Sequence, residues 1–197
     1  MTGASVVVAT GSVDAHGVTG SGGFDRRWDA LGIRPLDPDR AWRALFGTAN
    51  RTFRRLDPMS RALLVAAEAA GMGGVLPESV REETALIVGS VLGSLDADLR
   101  FQASLAPGRE PEAARFPYTL PSTAVGELAM RHGLRGPSLF LSLDDDPDEP
   151  FAEARLRVEA GEVPAAVAAR VEAVGEEVAP DEVGVLAARL VVLRARR

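Results

Sequence analysis

The chain has 197 residues, is 46% hydrophobic and 25% charged, and carries a formal charge of −6. That length suits one domain (1–197) with a sizeable core, and the composition excludes a disordered chain. Net acidity gives no electrostatic basis for binding nucleic acid or an anionic membrane, and no apolar run reaches the roughly 20 residues of a membrane span. The opening MTGASVVVATGSV lacks a basic leader with a long apolar core, so a cytoplasmic protein is expected.

The residue inventory removes whole reaction classes. There is no Cys, which excludes thiol nucleophiles, disulfides and thiolate metal sites. All 22 basic residues are Arg, which excludes Schiff-base and lysine general-base chemistry. The two histidines, His16 and His132, lie far apart in sequence.

Taken in order, ASVVVATGSV is β-branched and predicts a buried first strand. Residues 14–38 are rich in Gly, Asp and Arg without periodicity and predict a long loop excursion. A short helix is expected in 37–47. A strong one follows in LDPMSRALLVAAEAAGM, with Asp57 as N-cap and Pro58 in the first turn. ETALIVGSVLG (83–93) predicts a second buried strand ending in a Gly-rich turn. A helix should start at Ser94 and give way to a Pro- and Glu-containing loop by Arg115. PSTAVGELAMRHG (121–133) predicts a helix capped by Ser122 or Thr123 and ended by Gly133. SLFLSL (138–143) is the third strand and DEPFAEARLRVEAG the next helix; 163–174 suits a strand or a helix, and after a helix with a Gly stop a strand through Val167, Ala169 and Val171 is preferred. GVLAARLVVLRARR supplies the last strand. Strands alternating with helices indicate an α/β domain with a five-stranded mixed sheet and helices on both faces.

Three clusters invite chemistry, and each has a plainer reading. GSVLGS (89–94) follows a strand and could cradle a phosphate through backbone N–H groups, but it lacks the P-loop Lys and a tight turn is preferred. DDDPDE could attract a divalent cation. Its acids are consecutive rather than convergent, so a solvated helix start is preferred and no metal site is expected. His132 ends a helix, where a cation would complement the dipole, and capping or packing is preferred over catalysis.

The block RFPYTLPSTAVGELAMRHGLRGPSLFLSL resembles the N-terminal half of a β-ketoacyl synthase of the thiolase superfamily. In that family a Pro-containing loop and a helix lead to an "hGLRGP" turn, and the following strand ends in a Cys at a nucleophile elbow. VVVATGSV is similar to the family's opening strand, FRRLDPMSRALLVAAEAAGM to its "(h)D(p)xxRxxLxAAxxA" helix, and ALIVGSVLGSLD to its second strand and glycine turn. EPFAEARLRVEAGEVPAAVAARVEAV resembles the helix, turn and strand after the nucleophile, which in the family end in "LAGG.E". A thiolase-like half-domain is implied over nearly the whole chain.

The departures shape the functional expectation. The nucleophile's place falls on Asp145, within one residue, and a carboxylate there makes no useful thioester. The family's catalytic His pair and Lys belong to a C-terminal half that this sequence does not contain. The resemblance therefore implies a catalytically inactive subunit like a chain-length factor, with no catalytic residue and no cofactor of its own. Its expected partner is an active β-ketoacyl synthase in a heterodimer, with an acyl carrier protein engaged through the complex and a homodimer as the lesser option. The resemblance further implies that Leu139 and Leu141 lie on an interface strand, and that Phe116, Tyr118, Thr119 and Leu120 line the acyl tunnel, with packing around Pro117 and Pro121 as the plain reading. The setting would be polyketide, polyene or fatty-acid-like assembly. Two alternatives stay open: a decarboxylase or hydrolase using Asp145 or Asp144 with His132 or His16, and a homodimeric scaffold.

Overall fold

The computed structural model describes residues 4–144, 146–175 and 185–196. Its strands are β1 (Ser5–Asp14), β2 (Gly17–Gly20), β3 (Phe24–Arg27), β4 (Ala85–Ser90), β5 (Ser138–Ser142), β6 (Ala165–Ala173) and β7 (Leu186–Ala195). They form one mixed sheet in the order β3-β2-β1-β7-β6-β4-β5. β4 runs parallel to β5 and β6, whereas β7 is antiparallel to β6 and β1. The helices are α1 (Trp28–Leu31), α2 (Ala41–Phe46), α3 (Pro58–Ala69), α4 (Met72–Val75), α5 (Glu78–Arg81), α6 (Leu95–Ser104), α7 (Ser122–His132) and α8 (Glu149–Glu159).

The sheet has seven strands where five were expected. The two extra strands come from the stretch 14–38, which is not a bare loop. β2 and β3 form an antiparallel hairpin on β1, followed by α1. Four-residue strands are too short to show a period-2 pattern, and the glycines that disguise this hairpin serve close packing. A Cβ on Gly20 would stand 2.0 Å from the Ala69 carbonyl oxygen, and one on Gly11 2.0 Å from that of Ala66. The Ala-rich helix α3 thus lies almost directly on the backbones of β1 and β2.

α3 begins as the sequence indicates. Asp57 accepts hydrogen bonds from the Met59 and Ser60 N–H groups, and Pro58 occupies the first turn. α7 starts differently from expectation. Neither Ser122 nor Thr123 caps it, because Pro121 holds the cap position and the Thr123 hydroxyl donates back to the Pro117 carbonyl.

The two faces of the sheet are unequal. On one, α3 and α7 cover Val13, Val18, Leu86, Val88, Leu190 and Val192 with Leu63, Val65 and Leu128. On the other, α8 alone covers Ile87, Ala166, Ala168, Val191 and Leu193 through Ala154 and Val158. Helices on both faces are therefore observed. β6 is buried at every position except Arg170.

Gly20→Ala should lower stability by ~2 kcal/mol or more, because a backbone carbonyl cannot move aside as a flexible side chain would. The midpoint of urea unfolding measures the loss. Thr19→Ala, on the exposed side of the same strand, should change it far less.

Candidate functional site

The parallel strands β4, β5 and β6 end at one rim of the sheet, and the candidate residues gather there. The turn after β4 was a possible phosphate cradle, and its donors are already taken. Glu172, buried on β6, accepts from the Val91 N–H at 2.8 Å, from the Leu92 N–H at 3.0 Å and from Ser90 Oγ at 3.0 Å. Ser90 Oγ in turn accepts from the Gly93 N–H at 2.8 Å. A carboxylate of the chain occupies the place an external anion would need, so the tight-turn reading holds. Sequence reasoning passed over Glu172, although two charges, Arg170 and Glu172, in the largely apolar run VPAAVAARVEAV were the available signal.

The same device recurs one loop away. Asp96, buried at the start of α6, accepts from the Gly175 N–H at 2.8 Å and from Arg100 Nε at 2.8 Å. Two acids thus tie the segments that follow β4 and β6 together.

Beside this rim, α6 packs against a 3₁₀ turn over Ala113–Thr119, which carries most of the expected tunnel residues. Phe116 is exposed and its ring lies 5.6 Å from that of Phe101. Leu120 is also exposed, as are Leu95, Leu99 and Leu105 on or just after α6. Tyr118 turns the other way, packs against the larger core cluster and donates to Glu127 at 3.3 Å. Its burial, with the Glu127 charge second, pushes the phenol up to about 12. Thr119 Oγ1 donates to the Phe116 carbonyl, and the Thr119 carbonyl accepts from Ser94 Oγ. The four residues therefore divide: Phe116 and Leu120 face outward, while Tyr118 and Thr119 brace the turn.

β5 is the last strand of the sheet and pairs with β4 alone among the described residues. Leu139 and Leu141 are half-buried towards α8, and Phe140 packs towards α7. Each is thus half-covered on a strand whose outer edge has no strand neighbour among the described residues. Downstream, Asp145 lies outside the described residues. Asp146 accepts from the Asp148 N–H, and Asp148 stands 3.7 Å from Arg189. Of the acids weighed as a cation site, Asp146 is thus engaged in a helix-start turn and Asp148 in a loose ion pair.

His132 is separated along the sheet from Asp146 and Asp148. His16 is exposed at the β1–β2 turn. His132 precedes β5 whereas the acids follow it, and five strand residues span roughly 16 Å. His132 is buried with Nε2 unpartnered, and burial, then Arg131 and Arg81, pull it down to about 4. It is a neutral packed side chain near neutral pH, not a cation complementing the helix end.

Comparison with known proteins extends this geometry. The family described as "Beta-ketoacyl synthase, N-terminal domain" matches residues 19–142. No protein of curated function matches the sequence. Among solved structures, the ishigamide ketosynthase/chain length factor superposes with a TM-score of 0.69 at 17% identity, over 98% of this chain and 62% of that one. A β-ketoacyl synthase from Burkholderia phymatum STM815 gives 0.61 at 16%, over 100% and 60%. A ketosynthase, ApeO, in complex with its chain length factor, ApeC, from Xenorhabdus doucetiae gives 0.64 at 16%, over 100% and 80%. This chain thus spans about three-fifths of the first two. At such identities the likeness establishes the fold, a mixed thiolase-like layered α/β arrangement.

Glu172→Ala should cost about 2 kcal/mol, because it leaves two part-buried N–H donors and the buried Ser90 hydroxyl without their acceptor; chemical denaturation reads this directly. Stability should also fall with acid through His132. A buried base whose folded value is about 4 and whose unfolded value is 6.5 contributes fully above about pH 6.5. The contribution is lost as the pH falls towards 4, to a limit of about 3 kcal/mol. His132→Phe should flatten that limb between pH 6.5 and 4 in a series of urea titrations.

Proposed function

This chain belongs to the β-ketoacyl synthase family through its N-terminal domain, and from that premise we propose a catalytically inactive, chain-length-factor-like role. The chain pairs with an active β-ketoacyl synthase and shapes its acyl tunnel during polyketide, polyene or fatty-acid-like assembly. The observation that carries this reading is the free edge of β5. A strand with half-buried Leu139, Phe140 and Leu141 and an unpaired backbone edge is a template for strand addition. The outward Phe116 and Leu120, with Leu95 and Leu99, add apolar surface of the kind that marks association.

Inactivity is supported by chemistry. The sequence holds neither Cys nor Lys, and its two histidines are exposed on a hairpin or buried away from the acids after β5. A nucleophile, base and oxyanion donors act as a unit, so a chain lacking the side-chain members makes a poor condensing enzyme by itself. The neighbours named as ketosynthase and chain length factor complexes support a synthase as the partner. An acyl carrier protein would be met through that complex.

One observation favours a second reading, the homodimer. Ser138-Leu139-Phe140-Leu141-Ser142 is a palindrome about Phe140. Two copies paired antiparallel across a two-fold axis at Phe140 would set identical residue types opposite one another. The basic flank at Arg135 would then face the acidic flank beginning at Asp144.

Sedimentation of the chain alone and with a co-expressed ketosynthase separates the two readings. A monomer that becomes a stoichiometric heterodimer supports the first, a dimer by itself supports the second, and a persistent monomer sinks both. Ser138→Lys with Ser142→Lys adds charge at exposed edge positions, so it should weaken either complex at least about tenfold while leaving the fold intact. Leu120→Trp should shorten the products of the reconstituted complex, as read by mass spectrometry; unchanged chain length retires the tunnel role of that residue.

A further inference from the structure

A charged row crosses the face of the sheet that α8 leaves partly open. In β6, eight of nine positions are buried and the exception is Arg170. Its direct cross-strand partner on β7 is Arg189, whose partner on β1 is Ser12. Two guanidinium groups placed side by side on central strands repel each other. Each has one acid beside it, Glu172 at 3.5 Å from Arg170 and Asp148 at 3.7 Å from Arg189.

The two arginines form the floor of a cleft of about 370 Å3 between the sheet and the first turn of α8. Phe151 provides an apolar wall, and the Arg189 guanidinium lies 4.9 Å from the centre of its ring. Three acids also line the cleft, and two are committed elsewhere. Asp14 accepts from the His16 and Gly17 N–H groups at 2.7 and 2.9 Å. Glu172 is held by the turn after β4, with Arg170 Nε only 3.5 Å away as an additional neighbour. Asp148 is exposed and reaches Arg189 at 3.7 Å, a pairing of little strength. Both guanidinium groups line the cleft and meet their acids only at the long end of ion-pair distance.

From this geometry we infer that the Arg170–Arg189 cleft binds an oxyanion, phosphate or carboxylate, carried on a small apolar stem. Adjacent guanidinium groups match the paired oxygens of such an anion, which competes with Asp148 for the exposed Arg189. The ring of Phe151 and the cleft volume suit a group larger than the bare ion. This site is distinct from the edge of β5 and does not rest on the pairing proposed for it.

Calorimetric titration with phenyl phosphate, benzoate and inorganic phosphate, at ionic strength fixed with chloride, tests the site. Saturable binding of phenyl phosphate or benzoate is expected, with inorganic phosphate weaker than phenyl phosphate. Whichever aromatic anion binds identifies the headgroup. Arg189→Gln, at an exposed position, should reduce affinity about tenfold or more with an unchanged melting temperature in the absence of ligand. Arg34→Gln, away from the cleft, should leave affinity unaltered. The assignment is overturned if neither aromatic anion binds, if Arg189→Gln binds as well as the native chain, or if benzyl alcohol binds as tightly as the anions. Because these titrations use the chain alone, their failure leaves the ketosynthase pairing experiment untouched.

Discussion

The rim of this molecule depends on one buried carboxylate. Glu172 gathers two backbone N–H groups and a serine hydroxyl from the turn after β4, and so fixes the place where that turn leaves the sheet. An isolated buried charge is costly, but a carboxylate surrounded by fixed donors is stabilised where it stands. Asp96 repeats the arrangement with Gly175. Through these two acids α6 and the 3₁₀ turn beside it are set on a firm base, although few of their own side chains are deeply buried.

That base gives the surface its character. Phe116, Leu120, Leu95 and Leu99 are held outward on elements that are braced rather than loose, by the Ser94 bond to Thr119 and the Tyr118 bond to Glu127. β5 stands at the free end of the same sheet. An exposed strand edge is a liability that chains commonly blunt with charge or proline. Here the edge positions Ser138 and Ser142 carry neither.

The other face of the sheet follows a different logic. One helix, α8, covers β4, β6 and part of β7, and beyond it the exposed row is polar: Thr19, Ser12, Arg189 and Arg170. Ser12 and Thr19 bond each other across the strands at 2.7 Å. A polar row of this kind suits a sheet face open to water, although β1 also exposes Val7 and Val8 near its start.

The sequence alone determined most of the elements, because their signals are local. Asp57 and Pro58 announce α3, the β-branched run announces β1, and the alternating VPAAVAARVEAV run indicates β6 despite its helical alternative. The family likeness was also legible, from the block before and within β5. Tertiary structure decided what depends on partners remote in the chain. The hairpin of β2 and β3 exists because Gly11 and Gly20 admit α3, a requirement that no window of residues displays. Glu172 acquires its role from donors some 80 positions earlier, and Arg170 meets Arg189 only through strand register. Local propensity is written residue by residue, whereas contacts between distant segments arise only when the sheet is assembled.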